Sequence, residues 1–112
     1  MKMTYRQIVE MLEDTRIPFA YDHFSEGESP TTPFICFLLP KSDNFAADDN
    51  VYQKIVELNI ELYTDSKQPD VEADVERVLN NWNMVYDKSE VWIPDEKLYE
   101  VLYTTEVVYN GK

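Results

Sequence analysis

Polar and apolar positions change rhythm several times along this chain, and each change marks the border between two predicted elements. Between Thr4 and Asp14, the residues Tyr5, Ile8, Val9 and Leu12 recur at the three- and four-residue spacing of one helical face. Thr4 and Gln7 stand at the spacing of a capping box, in which a hydroxyl and a side-chain amide satisfy free N–H groups of the first turn. An amphipathic helix is predicted there. The stretch from Ile17 to Phe24 is predicted as an edge strand, because Pro18 fixes its own φ and turns Ile17 away from the helical region. Ser25 to Pro33 gathers Gly27, Pro30 and Pro33 among small polar residues, which is loop chemistry.

Phe34 to Leu39 is a continuous apolar run closed by Pro40, as expected of a strand buried on both faces, although periodicity alone does not separate it from a short buried helix. Lys41 to Asn50 is polar apart from Phe45 and two alanines and reads as a loop or hairpin tip. Alternation returns from Val51 to Thr64, with Val56, Leu58, Ile60 and Leu62 on one side and Glu57, Asn59 and Glu61 on the other. After turn residues at 65–70, Val71, Val75, Val78, Leu79 and Trp82 define a second amphipathic helix running through Asn81. Asn80, Asn81 and Asn83 suit its end, since asparagine tolerates the left-handed conformation. Two strands are predicted to follow, over Met84–Trp92 and Lys97–Tyr109, with Pro94 and Asp95 in the turn between them. The order α-β-β-β-α-β-β implies an α+β fold: a mostly antiparallel sheet of about five strands with both helices packed on one face.

Length and composition narrow this picture. A chain of 112 residues supports one core, so residues 1–112 are expected to form a single domain. The lone Cys36 excludes an internal disulfide and suits a reducing compartment. The N-terminal stretch has no apolar signal-peptide core, and no run approaches the roughly 20 apolar residues of a membrane span, so a soluble protein without membrane association is expected. Twenty-two acidic against ten basic residues give a net charge of -12, which disfavours direct binding to nucleic acid phosphates. Such acidity fits solubility, a basic protein partner, mimicry of DNA, or a surface that must not hold passing DNA.

Candidate chemistry is sparse. His23, the only histidine, has Asp22, Glu26 and Glu28 nearby in sequence, but a metal shell or a general acid/base pair would need further groups from a loop. Cys36 sits in an apolar run that opposes thiolate formation. None of the serines lies in a Gly-x-Ser-x-Gly turn, and two glycines, Gly27 and Gly111, are too few for a phosphate-cradling loop. Asp43, Asn44, Asp48, Asp49 and Asn50 have a calcium-like composition without the spacing of a calcium loop. No catalytic, cofactor-binding or metal residues are therefore predicted, and the chain is not expected to be an enzyme. Most of the eight tyrosines fit a half-buried sheet face, whereas Phe45 and Tyr52 in or beside a polar loop suit an interface better. The predicted interface residues are Tyr21, His23 and Phe24 on the first edge strand and Asn44, Phe45, Asp48, Asp49 and Tyr52 on the acidic loop.

Across roughly Tyr5 to Val108, and most distinctively in Pro33-Phe34-Ile35, Ser42-Asp43-Asn44-Phe45, Ile60-Glu61-Leu62-Tyr63-Thr64 and Glu100-Val101-Leu102-Tyr103, the chain resembles minor capsid or tail terminator proteins from the tail-assembly region of phages and prophages of Gram-positive bacteria. The resemblance implies a sheet flanked by helices and a homo-hexameric ring that ends tail-tube polymerisation. It further implies a tail tube protein and a head-completion or connector protein as partners, and a place at the head-proximal end of the virion tail after assembly in the bacterial cytoplasm. It implies no catalytic residue. The alternatives are a head-completion or connector protein, an acidic DNA mimic that inhibits a basic host protein, and an enzyme using His23 with nearby carboxylates.

Overall fold

The capping box at the head of the first helix forms as its spacing predicts. Gln7 N–H donates to Thr4 Oγ1 at 3.1 Å, and Thr4 N–H donates to Gln7 Oε1 at 2.9 Å. The structure, a computed structural model, describes residues 2–47 and 51–110, and within 43–47 and 51–53 it describes the backbone only. Its elements are β1 (Lys2–Thr4), α1 (Tyr5–Glu13), β2 (Phe19–Tyr21), β3 (Phe34–Leu38), β4 (Ser42–Ala47), β5 (Val51–Thr64), α2 (Pro69–Asn81), β6 (Asp87–Ile93) and β7 (Leu98–Asn110). The α+β class stands, but the order gains β1 and β4.

Two long strands make the middle of the sheet. β5 and β7 run antiparallel from Ile55 opposite Val108 to Thr64 opposite Tyr99. The outer edge of β7 is shared by β6, antiparallel, and β1, parallel. The outer edge of β5 is shared by β3 and β4, both antiparallel, and β2 lies parallel against β3. The seven-stranded sheet is thus mixed, with parallel pairs at its two sides, rather than a mostly antiparallel sheet of about five strands. Two causes account for the difference. The connection between β2 and β3, residues 22–33, is long enough to carry the chain back to the starting end, as a parallel pair requires. Lys2–Thr4 is too short to display a pattern, and the polar Ser42–Ala47 becomes a strand because β5 offers a free edge for it, pairing from Ser42 opposite Val56 to Ala47 opposite Val51. The expected loop or hairpin tip is corrected to a strand over 42–47, while 48–50 lie outside the described residues.

The core lies on one face of the sheet. Val56, Leu58, Ile60 and Leu62 of β5, with Ile35 and Phe37 of β3 and Val101, Tyr103 and Val107 of β7, are buried in a single cluster with Ile8, Met11 and Leu12 of α1 and Val75, Val78 and Leu79 of α2. Both helices therefore cover the same face. The end of α2 uses asparagine as expected: Asn83 takes φ 58°, Met84 N–H donates to the Leu79 carbonyl at 2.9 Å, and Asn83 N–H donates to that of Asn80 at 3.0 Å. Trp82 Nε1 donates to Asp14 Oδ2 at 2.9 Å, tying the end of α2 to the end of α1.

One buried carboxylate binds α2 to the sheet. Glu72, 3% exposed, accepts from Lys67 Nζ at 2.7 and 2.9 Å and lies 2.9 Å from Lys88 Nζ of β6. Lys88 also donates to Glu76 at 2.7 Å, and Tyr103 Oη donates to the same Glu76 oxygen at 2.7 Å. Burial alone would raise the pKa of Glu72, but the hydrogen bonds from Lys67 and Lys88 outweigh it and hold the carboxyl below its usual range. A depressed folded value means that this contribution to stability is complete above the unfolded glutamate pKa of about 4.3 and is lost as pH falls through the lower folded value.

Two predictions follow from the packing. Leu58→Ala should cost about 3 kcal/mol in urea unfolding, whereas Leu102→Ala on the opposite face should cost about 1 kcal/mol. Glu72→Gln should flatten the loss of stability on acidification below about pH 4.3, and an unchanged acid limb would contradict the assigned ion pair.

Candidate functional site

The alternation that fills the core sends the intervening residues to the other face, and neither helix contributes to it. Phe34, Cys36 and Leu38 of β3, Glu57, Asn59, Glu61 and Tyr63 of β5, and Glu100, Leu102, Thr104 and Glu106 of β7 stand there in register. Glu57 is directly opposite Glu106, a like-charge pair that weakens the ladder unless a cation is near. Lys41 Nζ comes within 3.7 Å of Glu57. Thr104 Oγ1 and Asn59 Oδ1 form a neutral cross-strand bond of 2.9 Å.

At the other end of this face Tyr63 joins two carboxylates. Its hydroxyl lies 2.7 Å from Glu100 Oε2 and 3.0 Å from Glu61 Oε1. One phenolic proton serves two acceptors, so the two hydrogen bonds cannot both be made at once by ionised carboxylates. Burial raises the pKa of Glu61, the charges of Glu100 and Asp22 push in the same direction, and only the hydrogen bond from Tyr63 opposes them. Tyr63 is itself raised, first by burial and then by its bond to Glu100, so it stays protonated at neutral pH.

Beside this group is a cavity of about 280 Å³ whose lining includes Asp22, Phe24, Phe34, Tyr63, Ile93 and Glu96. Its wall is aromatic: Phe34 stacks on Tyr63 with ring centroids 5.2 Å apart, and Phe24 meets Phe34 edge-on at 5.5 Å. His23 and Cys36 reach the same cavity. His23 is largely exposed, with Nδ1 2.8 Å from Asp22 Oδ2. The Cys36 thiol is pushed up to about 11, mainly by burial and further by Glu61, so it is a neutral thiol at physiological pH and a poor nucleophile. Among the described residues, no group of three or more His, Cys, Asp or Glu side chains has an arrangement that would hold a metal ion.

The predicted interface residues separate into two places. Tyr21 ends β2 with its ring edge-on to Phe37 at 5.2 Å and its hydroxyl accepting from Leu39 N–H at 3.0 Å, and His23 and Phe24 follow at the cavity mouth. Asn44, Phe45 and Tyr52 belong instead to the β4–β5 ladder, opposite Lys54, Gln53 and Ala46. Tyr21 is level with Ile60 through Phe37, and Asn44 is level with Lys54, so the six positions between them along β5 place the groups about 20 Å apart. Asp48 and Asp49 lie outside the described residues.

Sequence reasoning missed the exposed apolar residues on the last hairpin and in the connection that leads into it. Val85 is 87% exposed, Val91 51% and Trp92 43%, and with Tyr21 at 44% they are the large exposed hydrophobic side chains among the described residues. Val91 and Trp92 lie on β6, whose outer edge pairs with no strand among the described residues. The signal available was the apolar Val91-Trp92-Ile93 ending an otherwise polar strand.

No family model matches this chain, and no curated protein matches it either. Among the described residues, no helix is long and apolar enough to cross a membrane.

The Tyr63 assignment is open to a direct check. In Tyr63→Phe the bond that favours the Glu61 carboxylate is gone, so Glu61 should titrate at a higher pH than in the wild type, as followed by carboxyl ¹³C NMR. A lower or unmoved Glu61 titration would remove the phenol from the role assigned to it.

Proposed function

We propose that this chain is a structural assembly protein of the phage tail-terminator kind, forming a hexameric ring that caps the tail tube and offers a surface for head joining. The observation that carries this reading is the distribution of exposed apolar side chains over two unlike edges of the sheet. Tyr21 marks the β2 side, and Val85, Val91 and Trp92 mark the β6 side. A closed ring of identical protomers uses two different patches on each copy, one meeting the other head to tail. Free strand edges bearing apolar side chains are suited to such contacts.

Three further features support it. The sequence segments that resemble tail terminator proteins include Ile60–Thr64 and Glu100–Tyr103, which pair with each other in the middle of the sheet. The neutral Cys36 thiol and the exposed His23 supply no activated nucleophile, in keeping with a structural role. The net charge of -12 lets DNA pass a ring without being held. On this reading the partners are other copies of the chain, the tail tube protein and the head-completion or connector protein, and the protein resides at the head-proximal end of the tail.

Light scattering across protomer concentration, with negative-stain imaging of the same samples, tests the ring. The wild type should assemble into closed rings or cap one end of matching tail tubes. A Val91→Lys, Trp92→Lys double variant should shift assembly to about tenfold higher concentration, because it places charge on both faces of the free β6 edge. A wild-type protein that stays monomeric and never attaches to tubes would defeat the reading.

A further inference from the structure

The charges on the two faces of the sheet are handled differently. On the helical face, Lys67 and Lys88 form ion pairs with Glu72, Glu76 and Glu90 within the chain. On the open face, Lys41 approaches Glu57, at the opposite end from Tyr63. The cavity beside Tyr63 is bordered by the exposed Asp22 and Glu96, with His23 Nδ1 2.8 Å from Asp22 and with Glu61 and Glu100 bonded behind the phenol, and among the described residues no lysine or arginine lines it. Among these acids Glu61 is pushed toward its neutral form by burial and by the charges of Glu100 and Asp22, a repulsion that a cation entering the cavity relieves.

Shape and chemistry agree with charge. Phe24, Phe34 and Tyr63 give the cavity an aromatic wall, and a cation close to such rings is attracted by their electron-rich faces. The space of about 280 Å³ accommodates one long side chain rather than a large organic ligand. An ammonium or guanidinium group brings several donors, which suit the Asp22 and Glu96 carboxylates of the lining. A bare metal ion is the poorer fit, since the described carboxylates do not gather into a coordinating group.

We infer that this cavity receives a lysine or arginine side chain from a basic partner protein. The occupant is assigned to a basic protein rather than to a second copy, since each copy carries 22 acidic against 10 basic side chains and a basic protein offers more cationic side chains to an acidic cavity. The inference rests on the cavity alone and holds whether or not the protein closes into a ring.

The test is a ¹⁵N NMR titration at low protomer concentration with acetyl-Gly-Arg-Gly-amide and its lysine counterpart, using acetyl-Gly-Gln-Gly-amide as the neutral control. Saturable shifts in the millimolar range should appear around residues 22–24, 34–36, 61–63 and 93–98 with the cationic peptides alone. Asp22→Asn combined with Glu96→Gln should weaken the binding about fivefold. Asparagine accepts the left-handed backbone of Asp22, φ 65°, and Glu96 is exposed, so the double variant keeps its fold. Shifts scattered over the whole acidic surface and equal in the variant would reduce the effect to counter-ion screening and overturn the inference. Equal shifts with the glutamine peptide, or none with any peptide, would overturn it too.

Discussion

The pairing of β5 with β7 is the constraint on which the remaining structure depends. Ten consecutive residue pairs, from Ile55 and Val108 to Thr64 and Tyr99, fix which side of each strand faces the helices. Because side chains alternate with a period of two, a slip of one residue in one strand would carry its apolar set to solvent and its glutamates into the core. The burial of Leu58, Ile60 and Leu62 beside Tyr103 and Val101 makes that slip costly. The same register brings Tyr63 opposite Glu100 and Glu57 opposite Glu106, so the acidic face is a by-product of the pairing that builds the core.

The electrostatics of the two faces respond to pH with opposite sign. Glu72 is held ionised by two lysines, so acidification weakens the folded state through it. Glu61 is held toward its neutral form by burial and by neighbouring carboxylates, so its contribution is complete below the unfolded glutamate pKa of about 4.3 and is lost as pH rises from there through its raised folded value. A chain with twice as many acidic as basic side chains has few cations to place, and it spends Lys67 and Lys88 where α2 meets β6. The open face is left acidic, and that asymmetry underlies the proposed contact with a basic partner.

Much of the fold was legible because local chemistry and tertiary packing agree. The Thr4–Gln7 box, the alternation through Val51–Thr64 and the asparagine stop after α2 each carry their instruction within a few residues. The misses depend on partners far away in sequence. Lys2–Thr4 is a strand through Val108–Asn110, and Ser42–Ala47 is one through the free edge of β5. The candidate site divides in the same manner. Tyr21, His23 and Phe24 were expected together on one edge strand, but β2 ends at Tyr21 and His23 and Phe24 lie beyond it, whereas Glu57 and Glu61 do share one side of β5. That Glu100 meets Tyr63, and that Asp22, Phe34 and Glu96 close around one cavity, follows from register and strand order, which no local pattern encodes.

The sheet's order also bears on how the chain reaches its folded state. β7 supplies the partner for β5, β6 and β1, yet it is the latest of these strands to leave the ribosome. Without β7, β5 has partners only on the side of β3 and β4, its other edge is unpaired, and Leu58, Ile60 and Leu62 lack Val101 and Tyr103 as neighbours. An open edge flanked by uncovered apolar residues invites pairing with another chain. The pairing of β7 is thus what removes the exposed edge of the longest strand as well as what completes the core.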